Sequence, residues 1–115
     1  SVPIYLVTEG TEIMGCKIIS FDILSEGVSL QANYIIENVG NVHIRPRVEL
    51  QFPGDPTWIR ILDDIPVYPY SRRKFGYSVS RPEPEKEGAI VRVRLIYYDT
   101  HSQIQTISKN VEVHR

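Results

Sequence analysis

Two neighbouring stretches decide the fold class: residues 28–38 read VSLQANYIIEN, and residues 42–52 read VHIRPRVELQF. Apolar and polar residues alternate in both with a period of two, which is typical of a β-strand with one buried face. In the first strand the pattern predicts as inward residues Val28, Leu30, Ala32, Tyr34 and Ile36. In the second it predicts Val42, Ile44, Pro46, Val48, Leu50 and Phe52. The intervening glycine and asparagines predict a tight connection with positive φ angles.

Working outward, a less regular alternation predicts further strands at residues 16–24, 58–65, 72–80, 89–98 and 103–113. In the last strand the inward parity changes between Ile104 and Ile107, which predicts a β-bulge. No window of 11 residues has the apolar spacing of a helix. Seven strands in about 100 residues predict an all-β fold, an immunoglobulin-like β-sandwich of two antiparallel sheets. A small closed barrel is the alternative.

Composition narrows the function classes. The 115 residues suit one domain, and 13 basic against 14 acidic residues give a net charge of −1. This balance argues against nucleic-acid binding, which normally needs a basic excess on one face. No run of apolar residues is long enough to insert into a membrane. We expect residues 1–10 to be a strand or linker from a preceding domain, and residues 11–115 to form the β-sandwich domain.

Three stretches carry a resemblance to a known family: VPIY at 2–5, ENVGNVHIRP at 37–46 and GAIVRV at 88–93. They resemble extracytoplasmic Ig-like modules of bacterial and archaeal proteins, of the pilus-chaperone-like and adhesion types. In such modules an N-x-G-N turn closes the hairpin between the second and third strands. The resemblance implies a non-enzymatic module of a longer exported protein, in the periplasm or at the cell surface. It implies no particular binding residue.

Catalytic and metal sites are not predicted. The acidic groups Asp55 with Asp63-Asp64, and Asp99 near His101, lack the ligand spacing of a calcium loop. The histidines lack the ligand spacing of a zinc site, and the single cysteine, Cys16, lacks a neighbouring base. No phosphate loop or nucleophile motif occurs. We therefore expect no enzyme activity, no metal and no cofactor.

Two groups of residues are candidates for binding. A basic group could bind an anionic partner, such as a polymer carboxylate or a protein patch; it comprises Arg45, Arg47, Arg72, Arg73 and Lys74. The alternative is that these are solvated strand residues, balanced by Glu83, Glu85 and Glu87. An aromatic group could form a carbohydrate-stacking platform or simply cover the end of a sandwich; it comprises Trp58, Tyr68 and Tyr70.

Three functional hypotheses follow. The first is a structural or protein-interaction module that binds another protein or a neighbouring domain. The second is a chaperone-like domain that pairs an edge strand with a client. The third is a carbohydrate-binding β-sandwich.

The period-two pattern predicts a far-UV circular dichroism spectrum of the β-sheet type, with helix content near the baseline. A helical fraction above about a quarter would contradict the predicted fold class.

Overall fold

The computed structural model describes residues 15–80, 86–98 and 102–114. They contain seven β-strands: β1 (Cys16–Glu26), β2 (Ser29–Asn38), β3 (Arg47–Gln51), β4 (Ile59–Leu62), β5 (Arg72–Ser80), β6 (Ile90–Tyr98) and β7 (Ile104–His114). The predicted all-β class is confirmed, and no helix capable of crossing a membrane is present in these ranges. The predicted N-terminal strand or linker, and most of the loop at 81–88, lie outside the described residues.

The strands form one continuous sheet with the order β4-β3-β6-β7-β1-β2-β5, rather than two separate sheets. The reason lies at the end of β7. Its antiparallel ladder with β6 ends at Glu112, and the next two residues pair in parallel with Ile23 and Leu24 of β1. The sheet is therefore barrel-like, with β4 and β5 as its two edges.

The predicted faces of the two deciding stretches are largely confirmed. Apart from Val28 and the half-buried Val42, the inward residues of both are buried, and the hydrophobic core that most of them form also includes Phe21, Ile23, Val91, Val93 and Leu95. Because β1 and β2 contribute to the same cluster as β3 and β6, the curved sheet closes over a single core. Val28 is an exception: it lies in the turn between β1 and β2 and is 53% exposed.

The predicted tight connection between β2 and β3 is wrong. β2 pairs with β1 and β5, whereas β3 pairs with β6 and β4, so the chain crosses from one side of the core to the other. Neither Gly40 nor Asn41 has a positive φ. Instead, the Gly40 amide donates to the Asn38 side-chain oxygen at 2.8 Å, which turns the chain without left-handed residues.

Asn38 connects this crossover to the segment that leads into β5. Its side chain is fully buried, and its Nδ2 donates to the Val42 carbonyl at 2.8 Å and to the Val67 carbonyl at 2.9 Å. Its backbone amide donates to the Ser71 carbonyl at 2.9 Å. Val67 also exchanges backbone hydrogen bonds with Ile44. One buried amide therefore holds the start of the crossover against residues 67–71.

The predicted β-bulge in the last strand is also wrong. The β6–β7 register runs without a shift from Ile90↔Glu112 to Tyr98↔Ile104. Ile104 is 61% exposed on the outer face beside Tyr98, and this apolar residue on the wet face produced the apparent change of parity. A register shift occurs instead in β1, between Ile18 and Ser20.

An aromatic row holds β5 against the rest of the sheet. Phe21, Tyr34 and Phe75 are neighbours in the register of β1, β2 and β5. The ring centroids of Phe21 and Tyr34 are 4.8 Å apart, and those of Tyr34 and Phe75 are 5.4 Å apart, both stacked. Burial raises the pKa of the Tyr34 hydroxyl well above its ordinary value. Stacking of this kind adds about 0.5–1.5 kcal/mol per pair to the burial of the rings.

We predict that Asn38→Ala lowers the free energy of unfolding by about 2–4 kcal/mol, because it leaves the Gly40 amide and the Val42 carbonyl without their partner. Urea unfolding measures this loss. The matched control is Asn33→Ala, an exposed position in the same strand, which should change stability by no more than about 0.5 kcal/mol. Equal effects of the two substitutions would show that Asn38 does not hold the crossover.

Candidate functional site

The open edge of β5 is the candidate functional site. β5 is nine residues long and pairs with β2 from Glu37↔Arg72 to Ser29↔Ser80. No ladder lies on its other side within the described residues. The opposite edge strand, β4, has only four residues. A long unpaired edge presents a row of backbone donors and acceptors that can pair with another chain.

The register shows which backbone groups of β5 are free. The hydrogen bond from the Asn38 amide to the Ser71 carbonyl continues the β2–β5 register by one pair. Hydrogen-bonded pairs alternate with non-bonded pairs in an antiparallel ladder, so the next bonded residues of β5 are Arg73, Phe75, Tyr77 and Val79. The N–H and C=O groups of Lys74, Gly76 and Ser78 therefore point away from β2, toward the open edge.

The two faces of β5 differ in character. On the inner face, Phe75, Tyr77 and Val79 pack against the core but remain partly exposed. On the outer face, Lys74, Gly76 and Ser78 are exposed. A strand added at this edge would cover the exposed flank of the inner residues and so extend the core.

A groove of about 600 Å³ lies on the outer face of β1, β2 and β5, lined by Ser20, Asp22, Asn33, Ile35, Lys74 and Gly76, and by Tyr34 and Phe75. It forms because Gly76 contributes no side chain to the row Asp22, Asn33, Gly76. In the next row the Ser78 hydroxyl is hydrogen-bonded to Gln31. The sequence reasoning missed this groove; a glycine inside an alternating strand was the available signal.

The predicted basic residues fall into two separate groups. Arg45 precedes β3 and Arg47 begins it, and four strands lie between β3 and β5 in the sheet. Arg45 Nη1 lies 3.3 Å from Asp64 Oδ1, and Arg47 Nε lies 3.8 Å from Asp63 Oδ1. The charges of these two arginines are therefore balanced by carboxylates of their own chain.

The second group, Arg72, Arg73 and Lys74, begins β5. Arg72 Nε lies 3.4 Å from Glu37 Oε2, and Arg73 Nη1 donates to the Pro66 carbonyl at 2.9 Å. Lys74 has neither a hydrogen bond nor an ion pair with any described residue. Its ammonium group therefore has no counter-charge among the described residues at this edge. Of its predicted acidic counterparts, only Glu87 belongs to the described part of the chain, where it is exposed.

The predicted aromatic residues are not brought together. Trp58 precedes β4, and its ring lies 3.9 Å from the Arg94 guanidinium, which also donates to Glu49 Oε1 at 2.8 Å. Tyr68 and Tyr70 follow β4, at the other end of that strand, and are 57% and 70% exposed. No ring contact joins Trp58 to either tyrosine in the described ranges.

The groups that could support metal or thiol chemistry are sparse. Among the residues that the structure describes, no three His, Cys, Asp or Glu side chains form a group that could hold a metal ion. Asp99 and His101 lie outside them. Burial raises the pKa of the Cys16 thiol to about 12, so the thiolate that a nucleophile requires does not form near neutral pH.

Comparisons with known proteins give only distant likenesses. No family model matches the chain, and no curated protein matches it. A solved structure of the Bacillus subtilis sporulation control protein Spo0M is 12% identical over 92% of this chain and 50% of that one, with a TM-score of 0.46. A β-glucosidase from Listeria innocua in complex with glucose is 14% identical over 90% of this chain, with a TM-score of 0.43. The chain spans half of the former and 16% of the latter.

We predict that Cys16 reacts with Ellman's reagent at pH 8 only after the protein is unfolded. Because folding raises the thiol pKa from its ordinary 9.0 to about 12, the protonated thiol contributes stability below about pH 9. That contribution is lost as the pH rises toward 12. A Cys16→Ala variant should lack this part of the pH dependence while retaining that of Tyr34. Rapid reaction of the folded protein at pH 8 would contradict the prediction.

Proposed function

We propose that the chain is a non-enzymatic protein-interaction module that binds by pairing the open edge of β5 with an extended segment of a partner. The observation that carries the proposal is the row of outward N–H and C=O groups at Lys74, Gly76 and Ser78. β-Strand addition of this kind takes affinity from main-chain hydrogen bonds and specificity from alternate side chains. The partner is another protein or a neighbouring domain of the same protein.

The proposal includes an immunoglobulin-like arrangement, with β1, β2 and β5 on one side of the core and β3, β4 and β6 on the other. Support comes from the crossover between β2 and β3, which joins the two sides. The bridging position of β7 is compatible with this arrangement, since its last residues join β1 after its ladder with β6 has ended.

An extracytoplasmic location, in the periplasm or at the cell surface, is a further part of the proposal. It rests on the resemblance carried by residues 2–5 and 88–93, because residues 37–46 form a crossover rather than the hairpin that the resemblance implies. A client-binding chaperone and a surface scaffold could use the same edge of β5, and the upstream sequence would distinguish them.

Carbohydrate binding is a weaker candidate. A stacking platform needs aromatic rings that share one face, whereas Trp58 packs on Arg94 and the two tyrosines lie beyond the other end of β4. The β5 edge, by contrast, has no ladder on its outer side within the described residues.

The test uses a fluorescein-labelled decapeptide of alternating valine and glutamate, with fluorescence anisotropy as the measurement. Ser78→Pro removes one outward N–H from the edge but leaves the ladder to β2 intact, so binding should weaken at least about tenfold. Ser78→Ala removes the hydroxyl but keeps the N–H, and should bind as the unaltered protein does.

Circular dichroism and thermal melting check that each variant is folded. If Ser78→Pro does not fold, Lys74→Pro with Lys74→Ala as its control repeats the comparison at a second outward position. A folded proline variant that binds the peptide as tightly as its alanine control would rule out pairing at the β5 edge.

A further inference from the structure

We infer that the partner strand runs antiparallel to β5 and places an aromatic side chain opposite Gly76 and an acidic side chain opposite Lys74. This inference rests on the proposed function and names the chemistry of the partner. It follows from three features of the edge: an unexplained glycine, the groove beside it and an ammonium group without a counter-ion among the described residues.

Neither a positive φ nor a backbone contact within the described chain requires glycine at position 76. Its φ is not positive, so its backbone conformation is open to any residue. A Cβ placed there would lie 3.3 Å from Gln31 Nε2 and 3.4 Å from Asn33 Oδ1, the ends of two flexible side chains rather than backbone. Glycine inside a strand nevertheless destabilises the fold relative to alanine. Such glycines often mark a place where a ligand or a second backbone approaches closely.

An aromatic ring suits the space above Gly76. When an aromatic ring of one strand lies over a glycine of the neighbouring strand, the ring covers the exposed backbone of the glycine. This contact stabilises cross-strand pairs of an aromatic residue and a glycine. Ile35 supplies an apolar wall to the groove. Asn33 is one strand beyond Gly76, so it is two strand spacings, about 10 Å, from the incoming residue. That is roughly the combined reach of a tyrosine and an asparagine side chain.

Tyrosine is therefore favoured over phenylalanine. Asn33 Oδ1 is the amide atom that lies toward Gly76, 3.4 Å from a Cβ placed there, and it accepts from Gln31 Nε2 at 3.1 Å. Its second lone pair can accept a hydrogen bond from a phenolic hydroxyl. A buried phenol normally needs such a partner.

The position of the acidic residue follows from the direction of the strand. In an antiparallel pair, the residue opposite Lys74 is two positions after the residue opposite Gly76, and both point to the outer face. A cross-strand pair of opposite charges is then formed with Lys74. The next outward residue of β5, Arg72, already pairs with Glu37 at 3.4 Å. An acidic residue opposite Arg72 would therefore stabilise the complex less than one opposite Lys74. The residue between these two positions lies opposite Phe75, and the residue before the tyrosine lies opposite Tyr77; both should be apolar.

The probe is the labelled peptide Thr-Val-Tyr-Val-Glu-Val-Thr, with anisotropy as the readout. Four comparison peptides replace tyrosine by phenylalanine, tyrosine by alanine, glutamate by lysine, or reverse the order of the residues. The unaltered protein should bind the tyrosine peptide about three- to tenfold more tightly than the alanine peptide, and more tightly than the phenylalanine peptide. Replacing glutamate by lysine should weaken binding by about two- to fivefold, and reversing the order should also weaken it.

Variants of the protein separate the groove from the edge. Gly76→Val fills the groove, so its ratio of tyrosine to alanine binding should fall to about one while the alanine peptide still binds. Lys74→Ala should remove the discrimination between glutamate and lysine. Ser78→Pro should lose binding of every peptide. If circular dichroism shows that Gly76→Val is unfolded, Gly76→Ala takes its place.

Each outcome bears on one of the two proposals. Equal binding of the tyrosine and alanine peptides by the unaltered protein would overturn the aromatic position and leave edge pairing standing. Binding of none of the peptides, or binding that Ser78→Pro leaves intact, would overturn edge pairing itself. A dimer in solution that Ser78→Pro converts to a monomer would show that a second copy occupies the edge, and would overturn the partner inferred here.

Discussion

The buried Asn38 amide is the interaction on which the arrangement of the two sides of the core depends. β2 and β3 are consecutive in the chain but lie on opposite sides of the core, so the residues between them must cross over it. Between residues 39 and 46 the crossing backbone forms one bridge, that of Ile44 with Val67, and no ladder, and each unpaired buried polar group costs about 1–3 kcal/mol. Asn38 satisfies the Gly40 amide and the Val42 carbonyl, and its third bond holds Val67.

The same residue sets the geometry of the open edge. Its backbone amide bonds to Ser71 immediately before β5, so the pairing phase of β2 and β5 is established at the crossover. The aromatic stack of Phe21, Tyr34 and Phe75 maintains that phase in the middle of the ladder. A shift by one residue would turn Phe75 outward and Lys74 toward the core. The identity of the free backbone groups at the edge therefore depends on a buried amide and three rings.

The sequence was informative about faces and uninformative about neighbours, for a physical reason. Alternation reports which side of a strand is dry, and the inward residues from Leu30 to Ile36 were predicted on that basis. It carries no information about which strand lies alongside, so it predicts a tight connection where the chain crosses over after Asn38. An exposed apolar residue such as Ile104 changes the apparent inward parity of its strand, and a β-bulge would give the same sequence pattern. Arg45 and Arg47 looked like free cations because the carboxylates of Asp63 and Asp64 are distant in sequence.

The β5 edge is better matched to a different chain than to a second copy of itself. Two copies paired antiparallel about Gly76 would place glycine opposite glycine, so neither groove would be filled. The same pairing would place Lys74 opposite Ser78, and the ammonium would gain a hydroxyl instead of a counter-charge. Self-association in this register would offer main-chain hydrogen bonds without side-chain complementarity. A partner strand with tyrosine opposite Gly76 and glutamate opposite Lys74 fills the groove and supplies the counter-charge. Specificity is the difference between the binding free energy of this partner and that of a second copy of the chain.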